Sequence, residues 1–396
     1  MDARPRRVYG ARADRQAQSR AARHSTRKEG IPVSLEILDQ FHDPALCRSV
    51  LDRLCATLTG PLRFMEVCGT HTVAIFRSGL RSILPREIVH LSGPGCPVCV
   101  THESEVNAFL DLAARPGVIV ATFGDLMRVP GSRGRTLKAA QADGARVEVV
   151  YSPPDALKIA AANPDATVVF LGVGFETTAP GVAASLMMAR AQGIANYRVL
   201  SFHKLVPPAL DVLLSDPDAH IDAFIMPGHV SAIIGIEPYR PVVEKYGRSA
   251  AVAGFEPLDI LQGLLFLAER QREGKPGLAN LYRRVVRDEG NAKARSVMAE
   301  VFAPADALWR GIGLIPGSGL ELSEAYARYD AKREFGISIE DCPPLPGCKC
   351  GEVLKGKLTP NQCPLFGKAC TPAKPVGPCM VSTEGSCAAY FKYQVD

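Results

Sequence analysis

Leu62-Arg-Phe-Met-Glu-Val-Cys-Gly-Thr-His-Thr72 is the stretch that decides the fold class. Residues 62–67 make an apolar run of strand length, and Cys68-Gly-Thr-His71-Thr72 come at once after it, where a helical pattern begins. Further apolar runs lie at 88–91, 118–123, 147–151, 167–171, 197–202, 223–226 and 250–253. Helical periodicity falls between most of them, at 103–114, 135–142, 154–162 and 178–192. Alternation of this kind builds parallel sheets covered by helices on both faces, because parallel strands need crossover connections. The expected fold class is α/β, with two Rossmann-like parallel-sheet domains at 60–150 and 151–255. A (β/α)8 barrel is the runner-up, although that fold usually takes roughly 250 residues.

The loop after each strand is as informative as the strand itself. Ligands of parallel α/β sheets bind at the carboxyl ends of the strands. The second strand leads into Gly93-Pro-Gly95-Cys96-Pro-Val-Cys99 and the third into Gly124-Asp125. The fifth leads into Gly172-Val-Gly174-Phe-Glu176-Thr177-Thr178, the sixth into His203-Lys204, and the seventh into Pro227-Gly-His229-Val-Ser231. So many loaded loops argue for one site. Cys96-Pro-Val-Cys99 before a helix is the arrangement in which one thiol is activated and a reversible disulfide closes; its competitor is half a zinc site. Cys68-x-x-His71 places a thiol and an imidazole toward one ligand, with the next helix expected to favour the thiolate; its competitor is a buried structural thiol. Glu176 serves as ligand, base or helix-dipole partner, and Thr177 or Thr178 as helix cap. His203 and His229 are candidate cleft residues, each with a satisfied core histidine as its alternative. Gly172-x-Gly174 lacks the third glycine of a dinucleotide fingerprint and reads as a strand-to-helix turn.

Seven of the twelve cysteines crowd into residues 342–387: Cys342, Cys348, Cys350, Cys363, Cys370, Cys379 and Cys387. Prolines and glycines break this segment throughout, so it cannot form long helices or a large apolar core. An odd number of cysteines cannot all pair within it. A metal or iron–sulfur cluster is the preferred staple over zinc, since no C-x2-C knuckle repeats here, and over scattered structural thiols.

Net charge is +5, but residues 1–30 hold nine Lys/Arg against three Asp/Glu, so the rest of the chain sums to −1. A basic nucleic-acid-binding body is thereby excluded. Residues 1–33 read as a disordered basic tail, and Arg6-Arg7 is not followed by the apolar stretch of an export signal. A helical pattern runs from Ser34, its expected N-cap, to Leu54, with a break near Pro44 and with Cys47 and Cys55 as small hydrophobes. No apolar run is long enough to cross a bilayer. Free-thiol chemistry and the missing export signal give a cytoplasmic expectation.

Five motifs together resemble the HypD family, the iron–sulfur maturation proteins of [NiFe]-hydrogenases. They are Cys68-Gly-Thr-His-Thr72, Ser92-Gly-Pro-Gly-Cys-Pro-Val-Cys99, Gly174-Phe-Glu-Thr-Thr178, Pro227-Gly-His-Val-Ser231, and Gly377-Pro-Cys-Met-Val-Ser382 through Tyr393. The resemblance runs from about residue 34 to the end, and it implies two Rossmann-like lobes and a third, helical domain of residues 34–59 plus 256–396 that carries the cysteine-rich iron–sulfur segment. It implies a scaffold and redox protein on which an Fe(CN)2(CO) unit is assembled with a HypC-like small chaperone, cyanide coming from a HypE-like donor. It also implies a [4Fe–4S] cluster with ligands spaced C-x12-C-x6-C-x16-C, which Cys350, Cys363, Cys370 and Cys387 satisfy, leaving Cys342, Cys348 and Cys379. In this reading Cys96 and Cys99 are the redox-active dithiol, and Cys68 with His71 forms the iron-assembly site. The rival reading is an iron–sulfur disulfide reductase of the ferredoxin–thioredoxin type, which needs the cluster and Cys96/Cys99 but not Cys68. A third is a structural metal-stapled binding protein with a redox-silent C-x-x-C.

Overall fold

The computed structural model describes residues 40–393. The basic tail and the first part of the helical pattern, including Ser34, lie outside the described residues. The helix begins at Pro44, whose ring suits the first helical position, and runs to Thr57 with the Asp43 carboxylate accepting from Ala45 and Leu46 N–H.

All eight expected strands form close to their expected bounds, and four more join them. In chain order they are β1 (Leu62–Glu66), β2 (Ile88–Ser92), β3 (Val118–Thr122), β4 (Val147–Val149), β5 (Thr167–Gly172), β6 (Tyr197–Ser201), β7 (His203–Lys204), β8 (Ala223–Pro227), β9 (Ser249–Ala253), β10 (Leu278–Asn280), β11 (Phe302–Trp309) and β12 (Gly313–Leu322). One parallel sheet has the order β10-β9-β8-β1-β2 and a second has β4-β3-β5-β6. Strands β3, β8 and β9 are buried along their whole length, as expected where helices cover both faces. The fold is thus α/β with two parallel sheets, an arrangement compatible with Rossmann-like lobes.

The sheet boundary does not coincide with the expected division at residue 150. β1 and β2 share a sheet with β8, β9 and β10, while β3 to β6 build the other. The chain therefore crosses between lobes twice. It leaves after β2 through the Cys96–Cys99 loop and helix Glu103–Ala113, and it returns after β7 through helix Val206–Ser215. Both crossings start from carboxyl ends of strands, which aims the loaded loops at one cleft.

Residues 256–396 are not simply helical. Helix Pro257–Glu273 packs on β8 and β9, and β10 extends the same sheet. β11 and β12 form an antiparallel hairpin that pairs with β7. Pro304, a register shift between Ala305 and Ala307, and many exposed positions hide β11 from an alternation reading. The cysteine-rich end is built of short pieces, helix Cys350–Leu354, turns at Pro360–Gln362 and Pro378–Met380, and helix Ser386–Tyr393. No helix among the described residues is long and apolar enough to cross a membrane.

Two buried ion pairs lock the first crossing to the hairpin. Lys204 Nζ meets Glu105 at 2.7 Å and donates to the Leu308 carbonyl at 2.8 Å. Arg310 pairs with Glu103, donates from Nε to the Thr101 carbonyl at 2.8 Å, and is 2% exposed. Arg310→Met is expected to destabilise the protein by about 3–5 kcal/mol in denaturant unfolding, because Glu103 is left buried without its cation. Adding Glu103→Leu should restore most of the loss.

Candidate functional site

Cys68 ends the first strand and begins helix Gly69–Arg77 in extended conformation. Its backbone N–H donates to Glu66 Oε2 at 3.0 Å, and the Thr72 hydroxyl donates to Glu66 Oε1 at 2.6 Å. One carboxylate, itself fully buried, thus fixes both ends of the motif's first turn. The Cys68 thiol does not behave as a thiolate primed by its helix. Burial pushes it up to about 12, the Glu384 and Glu66 carboxylates add to this, and the His71 and Thr70 N–H groups only partly oppose it. Desolvation outweighs the helix dipole at the free thiol.

His71 is fully buried, and burial pushes its pKa down to about 4, so the ring is neutral. Nε2 lies 2.8 Å from the Gly254 carbonyl, which makes it the N–H donor and leaves Nδ1 a lone-pair acceptor without a partner. Phe255 sits between two imidazoles, its ring 4.6 Å from His71 and 4.2 Å from His229. Glu384, from the cysteine-rich end, closes the group by accepting from the Thr70 hydroxyl at 2.8 Å.

The dithiol loop lies directly against this site. Cys96 and Cys99 form a disulfide, Cα–Cα 5.2 Å, with both residues buried. The helix after it, Pro97–Val100, is a single turn, and the longer helix starts only at Glu103. A Cβ on Gly95 would stand 2.0 Å from Cys68 N, and Gly69 N–H donates to Gly95 O at 2.9 Å. Only glycine lets the two loops touch backbone to backbone.

The C-terminal thiols surround one small cavity. Cys348, Cys350, Cys363, Cys370, Cys379 and Cys387 line it, with Val353, Leu365, Phe366 and Met380 as apolar wall. Spacing selected four; the structure brings six together and leaves Cys342 aside. Cys350 Sγ and Cys379 Sγ stand 2.7 Å apart. Thiol donors on Cys348 and Cys379, with the Arg310 charge, hold the Cys350 thiol well below the usual range. Six thiols in an apolar wall are the donor chemistry of an iron–sulfur group. Among the described residues no three metal-binding side chains converge tightly enough for one ion, so the sulfurs ring a space rather than a point. Cys96, Cys99, Cys350 and Cys379 share one continuous apolar core.

Glu176 and His203 stand away from this group. Glu176 Oε1 accepts from Val206 N–H at 3.0 Å, Oε2 is buried without a partner, and burial pushes its pKa up to about 7. Burial pushes the Tyr239 phenol up, and negative charge at Glu176 or Cys68 would push it further. Thr178 takes the helix N-cap position but makes no side-chain cap. His203 faces Ser201 and Phe302, with none of the Cys68 loop among its neighbours. Sequence reasoning missed Glu66, Phe255 and Glu384. An acid buried at the end of a strand, just before the Cys68 motif, was the available signal for Glu66; nothing local marked the other two.

Fold and site together define a class: an α/β protein that brings a buried thiol–imidazole pair, a disulfide and a thiol-lined cavity to the carboxyl ends of its strands. The family model described as HypD, Hydrogenase formation hypA family, matches residues 45–394. The Hydrogenase maturation factor HypD of Rhodobacter capsulatus is 43% identical over 374 residues, covering 91% of this chain and 98% of its own. That of Escherichia coli (strain K12) is 44% identical over 368 residues, covering 91% and 98%. The chain belongs to the HypD family.

One consequence is a pH dependence of stability. His203 is buried and neutral, its pKa pushed down to about 3, against about 6.5 unfolded. Its contribution is present above pH 6.5 or so and is lost as pH falls toward 3, because only the unfolded chain readily takes the proton. His203→Gln should flatten the fall in melting temperature between about pH 6.5 and pH 4.

Proposed function

We propose that this chain is a hydrogenase maturation factor that holds an Fe(CN)2(CO) unit on Cys68 during its assembly. In this reading a HypC-like small chaperone shares the unit and a HypE-like donor delivers cyanide, in the reducing cytoplasm where free thiols persist. The observation that carries the proposal is adjacency. Cys68 touches the dithiol loop through Gly95, and the Pro97–Val100 turn that carries Cys99 packs against the Pro378–Met380 turn that carries Cys379.

Each residue has a part. Cys68 supplies the soft sulfur that low-spin iron prefers. His71 offers the Nδ1 lone pair as a neighbouring donor or acceptor, and Glu66 orients the loop. The Cys96–Cys99 disulfide takes two electrons and two protons to become two thiols, or returns them. A [4Fe–4S] cluster, when bound, supplies electrons one at a time. Cys363, Cys370 and Cys387 are three of its ligands. Spacing makes Cys350 the fourth, its sulfur in contact with that of Cys379, and leaves Cys348 and Cys379 as further thiols of the same cavity.

The test is co-purification with the small partner, followed by infrared spectroscopy. Cys68→Ala is expected to keep its cluster absorbance near ~400 nm and its disulfide cycling, but to lose the cyanide and carbonyl bands. Bands that survive would remove Cys68 from the iron and leave the disulfide-reductase reading. For the ligand set, Cys350→Ala should abolish the cluster absorbance, whereas Cys348→Ala should retain it. The opposite outcome moves the fourth ligand to Cys348.

A further inference from the structure

The charge of the chain is distributed unevenly in a way the assembly site does not explain. Residues 31–341 hold 31 Lys/Arg against 35 Asp/Glu, whereas residues 342–393, which enclose the thiol-lined cavity, hold six lysines against two glutamates. The basic charge of the described body is therefore concentrated on the cysteine shell. Lys355 is engaged by Glu352, and Lys357 by Asp216 and Asp218. Lys349, Lys368, Lys374 and Lys392 are exposed and make no ion pair among the described residues.

These four lysines belong to the short elements that carry the cavity's cysteines or follow them. Lys349 lines the cavity between Cys348 and Cys350. Lys368 precedes Cys370 in the Phe366–Cys370 turn, and Lys374 closes the next turn onto Thr371. Lys392 lies on the helix that carries Cys387. The cavity also has two sides. Cys350, Cys370 and Cys379 are buried, whereas Cys348, Cys363 and Cys387 are partly exposed. On the exposed side Phe366 lines the wall, and its ring meets that of Phe391, 43% exposed, at 6.1 Å. A partly exposed set of sulfurs, an aromatic contact reaching the surface and a rim of unpaired cations make a docking face rather than a sealed structural site.

We propose that this face docks an acidic one-electron carrier protein, which delivers reducing equivalents to the cysteine cavity. The inference rests on the cluster reading above. A carrier with a carboxylate-rich surface meets the lysine rim, which steers the encounter and lowers its electrostatic cost. In each encounter the reduced carrier loses one electron and the cavity side of the chain gains it. Two such electrons, with two protons from solvent, convert the Cys96–Cys99 disulfide into two thiols, so the balance closes with the carrier as sole reductant.

The holoprotein is mixed in stopped flow with a photoreduced plant-type [2Fe–2S] ferredoxin, and separately with reduced methyl viologen, a small cation. The rate with ferredoxin is expected to fall about tenfold or more as salt rises from about 50 to about 300 mM. The triple variant K368E/K374E/K392E should lose a similar factor, on the order of tenfold, at low salt, while viologen reduces it as fast as the parent protein. Calorimetric binding of oxidised ferredoxin at low salt should weaken in the same variant, a readout independent of turnover. Equal ferredoxin rates in parent and variant, with no salt dependence, would overturn the docking face and leave the cluster intact. Failure of both reductants to bleach any absorbance near ~400 nm would remove the cluster, and the docking proposal with it.

Discussion

The close approach of Gly95 to the Val67–Cys68 backbone is the constraint on which the rest of the site depends. A Cβ at Gly95 would overlap Cys68 N at 2.0 Å and the Val67 carbonyl carbon at 2.2 Å, which no side-chain adjustment relieves. The same device recurs at the other end of the dithiol loop. Val100 and Thr101 pair with the Trp309–Arg310 turn, and Gly311 packs on Gly351, the residue after Cys350, with a virtual Cβ only 2.1 Å from its Cα. Two backbone-on-backbone contacts therefore connect Cys68, Cys96–Cys99 and Cys350. Short separations matter for thiol and electron chemistry, and side-chain packing alone would hold the loops further apart.

Buried charge fixes what those contacts bring together. Glu103 and Glu105 open the helix after the dithiol, and each takes a cation from a distant part of the chain, Arg310 from the hairpin and Lys204 from β7. Acids suit a helix N-terminus, but burial makes them depend on their partners. Buried pairs are weak sources of net stability and strong sources of register. Here the register is that of the dithiol loop against the hairpin, and through Gly311 against the cysteine-rich end.

Much of this was legible in the sequence, and the exceptions share a cause. Strand runs such as 118–123 and 167–171 are continuous apolar stretches, so periodicity finds them and their carboxyl-end motifs with them. Sheet membership was not legible, because local pattern carries no record of which strand returns beside β1. β8 does so about 160 residues later, with Asp222 bonding Arg63 beside it. The β11–β12 hairpin was hidden by Pro304 and by its exposed positions, and β7 by being two residues long. Within the candidate site, Cys68, His71, Cys96 and Cys99 were singled out because reactive residue types sit in punctuated loops. Phe255 and Glu384 act through position alone. Among the C-terminal cysteines, spacing distinguishes sets but not sulfur contacts, and the Cys350–Cys379 contact exists only in three dimensions.

The protonation state of Cys68 ties the geometry to the cargo. A fully buried thiol facing Glu66 and Glu384 stays neutral, and a neutral thiol is a poor nucleophile and resists oxidation. Both carboxylates that oppose its ionisation would favour a bound cation. On the proposed reading, arriving iron reverses the local balance: it stabilises the thiolate, is held by the acids' field, and displaces one proton. The neutral His71, with Nε2 committed to Gly254 and Nδ1 open, is positioned to accept a hydrogen bond or a metal without adding positive charge. The same burial keeps small electrophiles from the thiol that an exposed cysteine would meet.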